Sequence, residues 1–228
     1  MRRTVALVAL AGLAVVSCMG NQPSGDAAKV LRDSAAAMAQ VRTVSATLRL
    51  TKGTISIEGF TLANAKTSVR MPADSDTVYT VKQQDLSVGI QIVIVDGHVY
   101  EHLPFSPFRE VTAAQAAQFP NMARLFDPTT GLPGIIPAGR DEKYVASEQL
   151  DNRTVDHVST TYSPDQVRSL LSALNSSGPV SANLWIGSDH LIRKAVLDGD
   201  FGDAGKEAAV EVDISNFNGT VSITSPTP

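Results

Sequence analysis

Val88-Gly89-Ile90-Gln91-Ile92-Val93-Ile94-Val95-Asp96-Gly97-His98-Val99-Tyr100-Glu101-His102 is the stretch on which the fold turns. Val88–Val95 is rich in β-branched residues, Asp96-Gly97 is a strong two-residue turn pair, and His98–His102 returns, so the segment predicts a β-hairpin. Along the outgoing strand Ile90, Ile92 and Ile94 share one face, and Gln91, Val93 and Val95 share the other. Both faces are largely apolar. An antiparallel strand with one face in water alternates cleanly between apolar and polar. The sheet here is therefore expected to be covered on both sides, by helices or by something that is not protein.

Outward from this hairpin, period-two alternation recurs. Val44, Ala46, Leu48 and Leu50 alternate with polar residues after Thr43, predicting a strand that ends at Lys52-Gly53. Extended sequence follows from Thr54 toward Val69, a break is expected over Met71–Asp76, and Val78–Val81 resumes the sheet. Lys143–Leu150 and Arg153–Tyr162 read as strands joined at Asp151-Asn152. Val180–Ile186 and Leu191–Leu197 read as a hairpin, Glu207–Ile214 as a strand and Thr220–Thr224 as a short final one.

Helical signals are fewer. Ala27–Val41 carries Leu31, Ala35 and Met38 at three-four spacing behind Asp26, a plausible cap. Thr112–Gln115 fits a capping box before alanine-rich sequence to Phe119, and Pro120 and Asp127-Pro128 mark further helix starts. Leu132, Ile135 and Ile136 stand among Gly131, Pro133, Gly134 and Pro137, which suits either a lid or rim of short helices and mobile loop or a plain packed loop. Ser163–Gln166 opens another helix, with Val167, Leu170, Leu171 and Leu174 as its buried stripe. Helices at the start, in the middle and near residue 170 that gather on one face of a long antiparallel sheet give an α+β layer.

The first residues read as a processing signal, not as part of the fold. Met1-Arg2-Arg3 supplies a positive start, and an uncharged run of about 13 residues follows, short of the roughly 20 needed to span a bilayer. It ends in Val15-Val16-Ser17-Cys18, which resembles the bacterial lipobox. Cys18 is the single cysteine of 228 residues, so no intramolecular disulfide can form and lipidation is its expected role. The expected organisation is a signal peptide over 1–17, a lipidated end and flexible tether over 18–26, and one domain over 27–228. Removing 17 residues leaves 211, and losing Arg2 and Arg3 from 19 basic residues leaves 17 against 23 acidic ones, a formal charge of −6. That balance argues against nucleic acid as a partner, because phosphate backbones need a basic footprint.

Little points to an enzyme. His98 and His102 lie four apart on a strand, about 13 Å along one face, not the one-turn spacing of a shared metal. With Cys18 taken by the anchor no Cys–His nucleophile remains. No Gly-x-Ser-x-Gly elbow and no phosphate-cradling glycine loop precedes a helix. No metal and no cofactor is expected. Asn152-Arg153-Thr154, Asn175-Ser176-Ser177 and Asn218-Gly219-Thr220 match the glycosylation pattern but read as turn chemistry behind a bacterial lipobox. Trp185, in the late hairpin, reads as core or rim.

Taken together, these segments resemble the mycobacterial LppX/LprA/LprF/LprG lipoproteins along nearly the whole chain. The resemblance rests on the lipobox at Cys18, the helix and strand through Ala27–Leu50, and Ile92–Tyr100. It rests also on Phe126-Asp127-Pro128-Thr129-Thr130-Gly131-Leu132, on Leu184-Trp185-Ile186 with His190-Leu191-Ile192, and on the tail Thr220–Pro228. It implies a strongly curved antiparallel sheet, a half-barrel, with helices on its concave side around an apolar cavity. It further implies a carrier of acylated lipids or glycolipids, attached through Cys18 to the extracytoplasmic face of the cell membrane, with a membrane transporter as a further candidate partner. Pro133 and Pro137 interrupt a segment that looks more helical in relatives. An acyl chain of about 16 carbons costs roughly 12 kcal/mol to expose to water, at about 0.8 kcal/mol per methylene, so unaided diffusion between membranes is negligible. Three such chains fill on the order of 1,300 Å³, above ordinary ligand pockets. The candidate lining residues are Val78, Val81, Ile90, Ile92, Ile94, Leu132, Ile135 and Ile136. Two other readings compete: a lipoprotein of the same fold that binds a protein partner without lipid cargo, and an envelope hydrolase with a polar cluster at the cavity mouth.

Overall fold

The structure is a computed structural model and describes residues 25–57, 59–83, 86–116, 121–170 and 176–226. Among these residues twelve strands form one antiparallel sheet: β1 (Thr43–Lys52), β2 (Ser56–Ile57), β3 (Phe60–Arg70), β4 (Asp74–Gln83), β5 (Leu86–Val95), β6 (His98–His102), β7 (Arg109–Glu110), β8 (Arg140–Leu150), β9 (Arg153–Tyr162), β10 (Val180–Gly187), β11 (Ile192–Gly199) and β12 (Ala208–Ser215). Their order is β7-β6-β5-β4-β3-β1-β12-β11-β10-β9-β8, with β2 paired to β3. The sheet stays open, since β7 and β8 end the path and do not pair with each other. Its centre is the β1–β12 pairing, in which Ala46 faces Ile214 and Leu48 faces Val212, so the two ends of the domain meet in the middle of the sheet.

Helix α1 (Ala27–Met38) begins where the Asp26 carboxylate accepts the Lys29 N–H at 2.9 Å. It buries Leu31, Ser34, Ala35 and Met38 against the inner face. Two 3-10 turns, Met122–Phe126 and Ile136–Ala138, and helix α3 (Leu132–Ile135) continue this layer. Helix α4 (Pro164–Leu170) joins it through Gln166, whose side chain donates to the Ala138 carbonyl at 2.8 Å. Ser163 and Gln166 also close the expected capping box, the Ser163 N–H donating to Gln166 Oε1 at 2.7 Å. The helices do gather on one face. Helix α2 (Ala113–Ala116) is the exception and buries nothing. Its box is formed, with the Thr112 N–H donating to Gln115 Oε1 at 3.1 Å. The remainder of the expected alanine-rich run, 117–120, lies outside the described residues, as do Leu171, Leu174 and Asn175.

The β5–β6 hairpin forms at Asp96-Gly97, both with positive φ (51° and 82°), as a right-handed twist requires. Three boundaries differ from expectation. Strand β4 starts at Asp74, inside the expected break, because the Asp74 carboxylate accepts from Arg70 Nε at 2.9 Å and holds the hairpin closed. Asp127-Pro128 opens a turn, not a helix: Asp127 accepts the N–H groups of Thr129 and Thr130 at 2.9 and 2.7 Å. These bonds hold its carboxyl below the usual aspartate range, the Thr130 N–H first among them. The expected final strand at Thr220–Thr224 is not a strand.

That last segment instead crosses the outer face of the sheet. After β12 the chain turns around the start of β1, where the Asn218 N–H donates to the Thr43 carbonyl and the Thr43 hydroxyl donates to the Gly219 carbonyl at 2.6 Å. It then lays Val221 and Ile223 on Val93, Val95, Tyr100 and Phe108. A segment that crosses strands cannot pair with them, and both sheet edges lie elsewhere. This tail is what covers the second apolar face of β5. The two-faced pattern of Ile90–Val95 therefore has a protein explanation on its outer side.

Candidate functional site

The inner face of the sheet is set by period two and register. On β5, Ile90, Ile92 and Ile94 point inward. Opposite them on β4 stand Tyr79, Thr77 and Ser75. Ile92 also faces Glu101 of β6, and Val81 faces Leu62 of β3. Leu62, Tyr79, Val81, Ile90, Ile92 and Ile94 form one buried cluster, edged by Leu48, Ile55, Phe60, Ala65, Val88, Val99, Leu103 and Met122. A second, larger cluster lies under α1 and includes Leu31, Met38, Val44, Val69, Phe126, Ile136, Val158, Tyr162 and Leu184. Met122, Leu48 and Ile55 touch both. The interior is thus one apolar layer with two lobes that meet at the Met122–Phe126 turn.

The candidate lining residues divide between these lobes. Val81, Ile90, Ile92 and Ile94 come together in the β3–β6 lobe, and Ile136 sits in the α1 lobe with Leu132 and Ile135 packed against it. Val78 departs from the expectation. It is 37% exposed on the outer face, opposite Lys66 and Gln91, in a shallow hollow with Thr47, Arg49 and Asn64. The reason is parity: Val78 and Val81 are three apart on a strand, so they cannot share a face. Tyr79, two before Val81, holds the inner position instead. The sequence reading missed it, and the signal was the same period of two.

Polar groups on the inner face are few and mostly satisfied. Thr67 and Thr77 hydroxyls lie 2.8 Å apart. The Tyr162 hydroxyl donates to the Ile136 carbonyl at 3.2 Å. Glu101 is almost fully buried and accepts from Arg109 Nε at 2.9 Å and from Arg109 Nη2, which closes the layer at the β6–β7 edge with a charge pair. Burial pushes the phenols of both Tyr79 and Tyr162 upward. The two differ in one respect: among the described residues the Tyr79 hydroxyl has no hydrogen-bond partner.

The outer face is different in kind. Arg49 bridges Glu211 and Asp213, and Lys194 pairs with Glu211 and stands 5.5 Å over the Trp185 ring. Trp185 stacks on His157 with centroids 4.4 Å apart, and its indole N–H donates to Glu148 Oε2 at 2.9 Å. His157 places Nδ1 2.8 Å from Glu148 and Nε2 2.9 Å from Asn183. The lone tryptophan is therefore a rim residue of the outer face, on the opposite side of the sheet from the apolar layer. Of the remaining histidines, His98 pairs with Glu110, which raises its pKa through the hydrogen bond, and His102 stacks on Phe108. Among the described residues no three His, Cys, Asp or Glu side chains converge as metal ligands, and no helix is long and apolar enough to cross a membrane. Cys18 lies outside the described residues.

This arrangement has relatives. A family model described as LppX_LprAFG lipoprotein matches residues 26–223. Lipoprotein LprA of Mycobacterium tuberculosis (strain ATCC 25618 / H37Rv) is 23% identical over 209 residues, which cover 89% of this chain and 82% of that protein. The crystal structure of LprF from Mycobacterium bovis superposes with a TM-score of 0.71 at 16% identity, covering 91% of this chain and 100% of that one. The crystal structure of Mycobacterium tuberculosis lipoprotein LppX gives 0.63 at 17% identity, covering 86% and 97%. At these identities the superpositions establish the open sheet with few helices as a shared fold. The match of the family model along almost the whole described domain goes further: the chain belongs to the LppX/LprAFG lipoprotein family.

Proposed function

We propose that this protein is a membrane-anchored lipoprotein that takes acylated lipids or glycolipids between its sheet and its helical layer and carries them across the cell envelope. The observation that carries the reading is the cover of the β3–β6 lobe. Among the described residues, the apolar cluster from Leu62 to Ile94 meets the helical layer at Met122, in a five-residue 3-10 turn. The turn is followed by Asp127-Pro128, Gly131, Pro133, Gly134 and Pro137. Short elements separated by glycine and proline share few hydrogen bonds with the sheet and open at low cost, whereas the strand ladders stay intact. Acyl chains that enter there exchange water for Ile90, Ile92, Ile94 and Val81, at about 25 cal/mol per Å² of apolar surface removed from water. In this reading Cys18 carries the acyl anchor, residues 1–17 are the signal peptide, 18–26 the tether, and the domain 27–228 stands on the extracytoplasmic face of the membrane, with a transporter as a candidate partner.

One observation favours the alternative, a protein-binding accessory factor of the same fold. Phe105, with φ 65°, is fully exposed at the tip of the β6–β7 loop, and a bare aromatic of that kind suits a protein contact. Native mass spectrometry separates the two readings, on protein made in a lipid-rich bacterial host without acylation at Cys18 and purified without detergent. A stoichiometric multi-acyl lipid released on denaturation supports the carrier. A clean protein mass that takes up nothing from host lipid extracts supports the alternative. In the same assay Ile92→Trp, which fills the β3–β6 lobe, abolishes loading while the protein is still secreted and folded.

A further inference from the structure

Tyr79 stands at the centre of the β3–β6 lobe, between Ala65 on β3 and Ile90 on β5, and is 4% exposed. Its hydroxyl is buried and has no partner among the described residues. Buried hydroxyls without a partner are uncommon in native proteins, because each forfeits its hydrogen bonds to water, at a cost of about 1–3 kcal/mol. A phenylalanine fills the same space without that cost. Ser34, the other unpartnered buried hydroxyl among the described residues, has a local remedy: a rotamer change lets a helical serine donate to the carbonyl four residues back. Tyr79 has none. Its hydroxyl sits at the end of a rigid ring on a strand, beyond reach of its own backbone, whereas the comparable hydroxyls of Thr77 and Tyr162 found Thr67 and Ile136.

Resting on the carrier reading, we propose that the Tyr79 hydroxyl is the polar anchor of the lobe, donating a hydrogen bond to an ester carbonyl oxygen of the acylated cargo. The chemistry of the surroundings selects a neutral acceptor. Among the described residues the side chains clustered with Tyr79 are apolar; of the buried polar groups on the same face, Thr77 pairs with Thr67, Glu101 is closed by Arg109, and Ser75 lies at the far end opposite Ile94. A free carboxylate brought to Tyr79 meets one neutral donor and no cation, and its desolvation is not repaid. An ester carbonyl asks for one donor, and Tyr79 supplies one. The hydroxyl then fixes how far the acyl chains slide into the lobe, since the ester marks the boundary between chain and headgroup.

The test compares Tyr79→Phe with the parent chain, both carrying Cys18→Ser, by equilibrium binding of 1,2-dipalmitoylglycerol, palmitate and hexadecane, and by thermal unfolding without lipid. Tyr79→Phe is expected to lower the affinity for the diester about five- to tenfold, in line with one hydrogen bond. Hexadecane, which has no acceptor, binds both proteins equally, and the lipid-free variant melts no lower than the parent. Unchanged diester affinity, an equal loss for hexadecane, or a lower melting temperature of the lipid-free variant each overturns the anchor while leaving the carrier reading intact. A larger loss for palmitate than for the diester overturns the ester assignment in favour of a free fatty acid. If the parent chain binds none of the three, the carrier reading itself fails and the anchor with it.

Discussion

The Tyr162 hydroxyl on β9 donates to the carbonyl of Ile136 at 3.2 Å, and this bond ties the Ile136–Ala138 turn to the sheet. Beside it Ile136 is 2% exposed, so the carbonyl has no water to replace the phenol. Tyr162→Phe is expected to cost about 1–2 kcal/mol of unfolding free energy in urea, the penalty of a buried carbonyl left without its donor. An unchanged midpoint means that the turn is held without the phenol, by packing and by the Gln166 side chain on the Ala138 carbonyl.

Face assignment on β4 and β5 makes the second prediction. Ile92→Ala is expected to destabilise the domain by about 2–5 kcal/mol, because it opens a void in a layer where Ile92 is 2% exposed. Val78→Ala, on the outer face, stays within about 0.5 kcal/mol. Urea unfolding of both variants checks this, and similar costs at the two positions contradict the inward and outward sides assigned here.

The crossing tail is a third point of attack. Ile223 is 3% exposed on Val93 and Val95, and burial of one such side chain is worth about 1.5–3 kcal/mol. Ile223→Asp is expected to lose at least that much and to bind a hydrophobic dye at the uncovered strand. If melting temperature and dye binding are both unchanged, the tail does not protect β5.

Glu148 supplies a pH dependence. The Trp185 indole N–H first, and then His157, hold its carboxyl below the usual glutamate range. A depressed folded value stabilises the protein at pH above the unfolded value, and the contribution disappears as pH falls through the folded one. The melting temperature of the parent should therefore drop more steeply than that of Glu148→Gln between about pH 5 and pH 3. Parallel curves would falsify the assignment of this acid sensitivity to Glu148.

Trp185 is the one tryptophan of the chain and lies on the outer face. Its emission is expected to stay at the same wavelength when lipid is loaded, while an apolar probe displaced from the lobe reports the event. A blue shift on loading puts cargo on the outer face instead of the inner one.

Much of the sheet was legible because period-two alternation survives wherever one face meets water: Thr43–Lys52, Arg153–Tyr162 and Val180–Gly187 lie within a residue or two of their expected ends. Asp96-Gly97 set the register of its hairpin through positive φ alone. The helix starts at Asp26 and Ser163 followed from local capping chemistry, which needs only neighbours in sequence. The candidate site was legible in part. Ile90, Ile92 and Ile94 were read onto one face, which is the buried inner one, Val78 was placed on the wrong face by parity, and Tyr79 was passed over because a tyrosine on a strand looks the same whether its hydroxyl is satisfied or not.

By itself, then, the amino-acid sequence determined most of the strands, the capping and hairpin-turn chemistry, the apolar character of both faces of β5 and the acidic charge balance, all of which are local or additive properties. Tertiary structure alone decided what covers each face. The tail from Thr220 was free to pair at an edge or to cross the sheet, and its choice depends on Val93, Val95 and Tyr100, more than 100 residues earlier. The same holds for Tyr79 and Tyr162, buried phenols of one chemical kind. Tyr162 finds the Ile136 carbonyl, whereas among the described residues Tyr79 finds no partner, and that difference is set by what packs against each ring in three dimensions. Hydrogen bonding and burial are properties of three-dimensional neighbours, and no period or motif in the chain records them.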